Sequence, residues 1–208
     1  GNEKPLAKQG KVEAHISQSA RPQEEKDDLR GEMELLLSFL GYNRIEDMGA
    51  RHRRALGLLG GPARLISVKS TWTFGSPSVL YMFWRESGRL EEELDQMDQC
   101  MPWYYQLTGG HGSGAEYIMR AEAHFQRGEL DEAEQLCHRA LFAAELKRQN
   151  SICQCVLFLL CRIAIQRGDT AALEETRQAI RDRARQNTED LCRYTLDLAE
   201  GFLSVLLG

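Results

Sequence analysis

The chain has 208 residues, 42% hydrophobic and 27% charged, with 26 Lys and Arg against 31 Asp and Glu and a formal net charge of −5. This composition suffices for a sizeable core and excludes disorder over most of the length. Because charges of both signs are mixed along the chain, we expect no direct binding of nucleic acid. The longest apolar run, Val156 to Cys161, is too short to span a membrane. We therefore expect a cytoplasmic protein without membrane contact.

The predicted organisation is a polar N-terminal segment followed by one helical domain. Residues 1–22 are polar, and we expect a loosely docked helix or disorder there. From residue 23 to residue 208 apolar positions recur at helical spacing, which predicts a single helical-repeat domain. An irregular loop is predicted from about 60 to 75, where Gly and Pro accompany β-branched and aromatic residues.

Three short phrases with a central glycine recur 40 residues apart, around Gly88, Gly128 and Gly168, and the same register reaches Gly208. Each glycine stands between two stretches of apolar-periodic helix, which predicts a helical hairpin whose turn glycine is left-handed. The predicted fold class is therefore all-α, a superhelical array of antiparallel hairpins with a period of about 40 residues and a truncated last repeat.

A glycine-rich stretch, Gly109 to Gly114, precedes one predicted helix. Ser113 and Glu116 have the spacing of a capping box, which predicts Ser113 as the cap of that helix. Free N–H groups at a helix start can bind an anion. The stretch lacks the preceding strand and the following Lys of a phosphate loop, so a flexible loop between repeats is the preferred interpretation.

Cysteine and histidine often serve in catalytic and metal sites, but in this sequence they do not form a catalytic or metal-binding pattern. The six cysteines are sparse and lie in helix-patterned segments, so reduced, buried thiols are predicted. The five histidines are scattered, without a nucleophile–base pairing or the spacing of metal ligands. We therefore expect no enzyme, no catalytic residues and no metal.

Half of the aromatic residues fall within a short part of the chain. They are Trp72, Phe74, Tyr81, Phe83, Trp84, Trp103, Tyr104 and Tyr105. They either wall a pocket that stacks on a small molecule or fill a core, and the sequence leaves both open. If a pocket exists, the candidate ligand-binding residues are Trp72, Phe74, Trp84 and Trp103, of which Trp72 and Trp103 are placed in loops or at helix ends.

The stretch Ala115 to Leu141, with Ala121, Gly128, Leu130, Ala133, Ala140 and Leu141 in place, resembles a tetratricopeptide repeat. Gly31 to Leu40, Trp72 to Tyr81 and Gly109 to Tyr117, taken with that repeat, resemble the middle region of large LuxR-type, MalT-like bacterial transcriptional regulators. The resemblance implies a nucleotide-binding switch ATPase before this region and a DNA-binding helix-turn-helix after it. Gly1 is interpreted as a processing or cloning scar, and the chain as a piece of a longer protein. No phosphate loop occurs, so no cofactor is expected in this piece, and ATP only in the missing N-terminal domain.

In a tetratricopeptide-like array the first helices of the hairpins line the concave face. Positions six before each turn glycine are Met82, Glu122, Arg162 and Phe202; positions three before are Arg85, Phe125, Ile165 and Val205; positions two before include Gln126 and Gln166. The candidate groove residues are Arg85, Glu122, Gln126, Arg162 and Gln166. Ordinary surface ion pairs of Arg85, Glu122 and Arg162 are the alternative.

These expectations favour a ligand- or partner-sensing module of a LuxR-type regulator, whose partner is a small-molecule effector, a peptide or a protein. The alternative is a stand-alone protein–protein scaffold without an effector. A closed, ligand-sized pocket would favour the sensor and an open groove the scaffold. Self-association is also expected, because Phe202, Leu203, Leu206 and Leu207 of the last helix lack a hairpin partner.

Overall fold

The computed structural model of the chain describes residues 3–41, 44–72, 78, 80, 87–186 and 190–207, with the backbone alone for residues 3–7 and 190–192. Within these ranges the regular structure is entirely helical. The α-helices are α1 (Glu3–Gln18), α2 (Gln23–Ser38), α3 (Ile45–Leu58), α4 (Leu90–Thr108), α5 (Ala115–Gln126), α6 (Leu130–Leu146), α7 (Asn150–Arg167), α8 (Thr170–Gln186) and α9 (Asp190–Leu207), with a 3-10 turn at Phe39–Gly41. The predicted all-α class is confirmed.

The chain divides into two compact units. The first comprises Gly1–Ser67 and Arg85–Gly110, and the second comprises Val68–Trp84 and His111–Gly208. Helices α1 to α4 belong to the first unit and α5 to α9 to the second. The predicted domain bounds, 1–22 and 23–208, stay a prediction.

The first unit packs its helices in chain order, α1 on α2, α2 on α3 and α3 on α4. Gly31 permits the close approach of α2 to the end of α3, since a Cβ there would lie 2.5 Å from Cγ of Leu59. The segment after α3 is held to α4 by a hydrogen bond, in which the N–H of Ala63 donates to the carbonyl of Leu107 at 2.7 Å. The N-terminal helix α1 contacts α2 through Glu13, which accepts a hydrogen bond from Arg30 at 2.8 Å.

Three turn glycines adopt the predicted left-handed conformation, with φ of 83° at Gly88, 78° at Gly128 and 70° at Gly168. Helices α4, α6 and α8 each begin two residues later, at Leu90, Leu130 and Thr170, so their starts keep the 40-residue spacing. At Gly168 the turn is closed by Asp169, whose N–H donates to the carbonyl of Ala164 at 2.9 Å. The prediction of left-handed turn glycines is confirmed at these three positions, while Gly208 lies outside the described residues.

Helix α7 is the centre of the second unit. It contacts α5, α6, α8 and α9, and it is buried on most of its circumference. This explains why its sequence is apolar on nearly every face. Its core with α8 and α9 comprises Leu157, Phe158, Cys161, Ala164, Leu173, Ile180, Ala199 and Leu203.

The predicted capping box at Ser113 is wrong. Helix α5 begins at Ala115 after Gly114, which has a φ of 99° and makes no side-chain cap bond. A Cβ at Gly114 would lie 2.6 Å from the carbonyl oxygen of Ala140. Close packing of the chain against α6 therefore decides where α5 starts, and the buried Ser113 precedes the cap.

Candidate functional site

Arg162 of α7 lies among phenylalanine rings from three helices. Its Cζ is 4.4 Å from the ring centroid of Phe125 on α5, 5.8 Å from that of Phe158 on α7 and 5.9 Å from that of Phe202 on α9. The rings of Phe158 and Phe202 pack edge to face at 5.3 Å. We call these four residues the Arg162 cluster. A guanidinium over aromatic faces is held by cation–π attraction, which restricts its orientation.

The charge of Arg162 has no acidic partner among the residues that the structure describes. The arginines around it differ in this respect. Arg167 pairs with Glu134 at 2.7 Å, and Arg177 pairs with Glu200 at 2.8 Å. Because Arg162 is half-buried and its N–H edge is not bound to an acceptor in the described part of the chain, that edge is available to a carboxylate brought by a binding partner.

Helix α9 extends the Arg162 cluster with an exposed apolar stripe. The buried face of α9 carries Thr195, Ala199 and Leu203, which repeat every four residues. A second set is exposed: Tyr194, Leu198, Phe202 and Leu206 repeat every four residues, and Val205, three residues after Phe202, is exposed to 82%. We call this set the α9 stripe. An apolar helix face without a covering element is typical of a protein-binding surface.

The second candidate region is a cleft of about 420 Å³ in the second unit, which we call the Gln149 cleft. It is lined by Val68, Lys69, Ser70, Thr71, Trp72, Lys147, Arg148, Gln149, Asn150 and Ser151. The buried Gln149 holds its walls together. Its Nε2 donates to the carbonyl of Val68 at 2.8 Å, and its Oε1 accepts from the N–H of Gly112 at 2.7 Å.

The lining of the Gln149 cleft is cationic and polar. Lys69, Lys147 and Arg148 contribute positive charge, while the described residues that line the cleft include no carboxylate. Arg148 has a φ of 55°, the left-handed region that is costly for a residue with a side chain. The arrangement is suited to a small anion or to an anionic group of a larger ligand.

Trp72 forms one wall of this cleft but is itself almost completely buried. Its ring packs against that of His111 at a centroid distance of 5.6 Å. Burial lowers the pKa of His111, while hydrogen bonds between its ring and the backbone of Thr71 and Ser70 raise it. The stretch from His111 to Gly114 is buried as well, so it is a packed turn in this structure.

The sequence-predicted site residues fall in different places. Trp103 lies within α4 of the first unit, where Arg53 stacks on it at 4.8 Å. Glu122 is buried and accepts a hydrogen bond from the N–H of Leu80. Gln126 and Gln166 are exposed near the ends of α5 and α7. Phe74, Trp84 and Arg85 lie outside the described residues.

Of the predicted groove positions, the structure brings together Arg162, Phe125 and Phe202. Phe158 was not predicted, although its spacing of four residues from Arg162 places both on one helix face. Gln149 was not predicted either, because the carbonyl that it binds belongs to a residue 81 positions earlier in the chain. No local pattern could have indicated that contact.

A buried cluster in the first unit has the composition of a catalytic pair but not its electrostatics. Nδ1 of His52 lies 3.2 Å from Sγ of Cys100, and Nε2 of His52 lies 3.0 Å from Oγ of Ser38. Burial lowers the pKa of His52 to about 4 and raises the pKa of Cys100 to about 12. His52 is 1% exposed and Cys100 3%, so the pair packs in the core of the first unit, away from solvent.

Cys100, Cys137, Cys153, Cys155 and Cys161 are free and buried, as predicted for these five. The side chain of Cys192 is not described. In the described part of the chain, no group of His, Cys, Asp and Glu side chains has an arrangement that could hold a metal ion. No helix there combines the length and apolarity needed to cross a membrane.

Comparison with known proteins gives no relative. No protein-family profile matches the chain, and neither a curated protein nor a solved structure matches it. We therefore infer the function from the geometry of the chain itself.

Proposed function

We propose that this chain is a tetratricopeptide-like interaction module that binds a protein partner on the face formed by α5, α7 and α9. One observation carries the proposal: the Arg162 cluster presents a guanidinium without an acidic partner among the described residues, directly beside the exposed α9 stripe. A partner with an apolar surface and a carboxylate is complementary to this combination.

The register of the turns supports a repeat architecture for this module. Helices α6 and α8 follow left-handed glycines at the same offset, and α5 and α7 precede them as first helices of two hairpins. Phe125 and Arg162 come from those first helices, at positions where a tetratricopeptide-like array is expected to expose its concave face.

The biological setting that we propose is the sensor region of a LuxR-type transcriptional regulator. Binding on the α5–α7–α9 face would change the packing of neighbouring hairpins and thereby bias a switch ATPase and a DNA-binding domain elsewhere in the polypeptide. This part of the proposal depends on the sequence resemblance. Reading the coding sequence on both sides tests it, since a phosphate loop upstream and a helix-turn-helix downstream are expected. Absence of both would leave a stand-alone scaffold.

Photo-crosslinking tests the binding face. A benzoylphenylalanine at position 205, which is 82% exposed on α9, is compared with one at position 142, which is 72% exposed on α6. In cells that make the protein, we expect position 205 to give one discrete protein adduct that is lost with Arg162→Glu and kept with Arg139→Glu. Equal labelling from the two positions, or an adduct that is insensitive to Arg162, would contradict the proposed face.

A small-molecule effector in the Gln149 cleft is the second candidate, favoured by the three cationic side chains that line it. Such an effector is expected to be anionic. Titration calorimetry with inorganic phosphate and with citrate should show binding that weakens in Lys147→Ala and Arg148→Ala, and not in the exposed control Arg139→Ala. Trp103→Ala, in the first unit, should also leave binding unchanged. Absence of binding by the wild-type chain would remove this candidate.

A further inference from the structure

We propose that the partner of the α9 stripe is a second copy of this chain, with Arg162 of each copy bonding Asp197 of the other. This inference depends on the proposed function, because it names the occupant of the same face.

Asp197 is the acidic group that the α9 stripe offers to a partner. It is exposed on α9, and among the described residues it has no ion-pair or hydrogen-bond partner. The other carboxylate on the described part of this helix, Glu200, is already engaged by Arg177 at 2.8 Å and by Arg181 at 2.9 Å. Beside the same apolar surface each copy therefore carries the Arg162 guanidinium and the Asp197 carboxylate, neither of which has a partner among the described residues.

The two charges lie at opposite edges of the α9 stripe. Asp197 and Phe202 are five residues apart, which on an α-helix corresponds to a rotation of about 140°. With the same rotation per residue, the arc between Asp197 and Phe202 is occupied by Tyr194, Val205 and Leu198. Phe202 contacts the Arg162 side chain, with 5.9 Å between Cζ and the ring centroid, so it marks the cationic edge, while Asp197 marks the anionic edge.

Two-fold symmetry decides how these edges meet. A two-fold axis parallel to α9 places the cationic edge of one stripe against the anionic edge of the other, and it does so twice. A two-fold axis perpendicular to the paired helices would instead place Arg162 near Arg162 and Asp197 near Asp197, which is repulsive. The charges therefore select a parallel pair of α9 helices. Gly201, at the surface between the stripe and Asp197, has no atom within 4 Å of its would-be Cβ and permits close approach.

Analytical ultracentrifugation of the intact 208-residue chain tests the pair by charge reversal. We expect a concentration-dependent dimer, with dissociation constants raised at least about tenfold in Asp197→Arg and in Arg162→Asp. The double variant Arg162→Asp with Asp197→Arg should regain dimerisation, because it exchanges the two charges. Arg139→Asp, on the exposed surface of α6, is the matched control and should leave the dimer unchanged.

Two further experiments check that the variants fold and that the two α9 helices run parallel. Asp197 is exposed, so Asp197→Arg is expected to keep the wild-type circular dichroism, and Arg162→Gln gives a milder test at the half-buried position. A cysteine at Val205 should form an intermolecular disulfide under mild oxidation, since a parallel pair brings the two positions together. The wild-type chain under the same conditions is its control.

The outcomes separate this inference from the proposed function. A wild-type chain that stays monomeric up to about 1 mM, or a dimer that the double variant fails to restore, would overturn the Arg162–Asp197 pair. An adduct of position 205 with a different protein, dependent on Arg162, would overturn the second copy as occupant while supporting the binding face. Loss of every position-205 adduct in a chain that remains monomeric would contradict both.

Discussion

Gly112 is a residue at which the surroundings constrain the backbone tightly. It has a φ of 73°, and a Cβ there would lie 2.2 Å from Cζ3 of Trp72. We expect Gly112→Ala to lower the free energy of unfolding by about 3 kcal/mol. Gly128→Ala, with a φ of 78° and nothing within 4 Å, should cost only the backbone strain, about 1 kcal/mol. Urea denaturation of both variants measures the steric difference, and equal losses would contradict it.

His52 gives the first unit a predictable dependence on pH. It is buried against Ser38, Cys100 and Tyr104, and desolvation lowers its pKa to about 4 from an ordinary value of 6.5. Between these values the unfolded chain binds a proton that the folded chain does not. The contribution of neutral His52 to the free energy of unfolding is therefore fully present above about pH 6.5, and about 3 kcal/mol of it is lost as the pH drops to 4.

The measurement for His52 is an NMR titration of its Cε1–H resonance, which should remain that of a neutral imidazole down to about pH 5. His52→Gln should flatten the dependence of unfolding free energy on pH in this range. A midpoint near 6.5 for His52 in the folded protein would show that the imidazole is hydrated, contrary to the structure.

Individual site residues were predictable from the sequence only where the repeat register applied. The offsets from the turn glycines placed Arg162, Phe125 and Phe202 at groove positions, and the structure brings both rings within about 6 Å of Cζ of Arg162. Trp72 and Trp103 were grouped by closeness in sequence, yet they belong to different compact units. Sequence proximity says little about contact when the segments fold into separate cores.

At the scale of elements, Gln149 holds the turn between α6 and α7 to two other segments. Its amide bonds the carbonyls of Val68 and Lys147 and the N–H of Gly112. We expect Gln149→Ala to cost about 2 to 3 kcal/mol, because it leaves these backbone groups unsatisfied. Gln178→Ala, which removes an exposed bond to Asp182, should cost less than about 0.5 kcal/mol.

Hydrogen exchange at the Gly112 amide tests whether the Gln149 side chain holds the turn. In Gln149→Ala the amide of Gly112 should exchange much faster than in the wild type, since its acceptor is the Oε1 of Gln149. Amides in the middle of α8 should be unaffected. Unchanged protection at Gly112 would mean that the Gln149 side chain does not hold the turn.

The helices themselves were predictable because apolar periodicity and left-handed glycines are local signals. The turns at Gly88, Gly128 and Gly168 show this most clearly. The start of α5 was not predictable, because Ser113 satisfies the capping pattern while tertiary packing of Gly114 against Ala140 determines the boundary. Local rules fail where a distant carbonyl fixes the backbone.

At the scale of the whole molecule, the distribution of exposed apolar surface distinguishes α9 from the other helices of the second unit. Helix α6 exposes Phe142 and Leu146, whereas α9 exposes a stripe that runs along its length and ends beside an uncompensated charge of the described chain. Burial of that stripe by a partner would remove apolar area from water and satisfy the guanidinium at the same time. A sensor requires such a difference between its free and bound states.

The most direct test of the binding face is hydroxyl-radical footprinting of the protein inside the cells that make it, compared with the isolated chain at high dilution. Tyr194, Leu198 and Phe202 should be protected in the cell, while Phe142 and Leu146 of α6, exposed to 72% and 71%, should react equally in both samples. Equal reactivity of the α9 stripe in the two samples would show that nothing binds this face, and it would contradict the account.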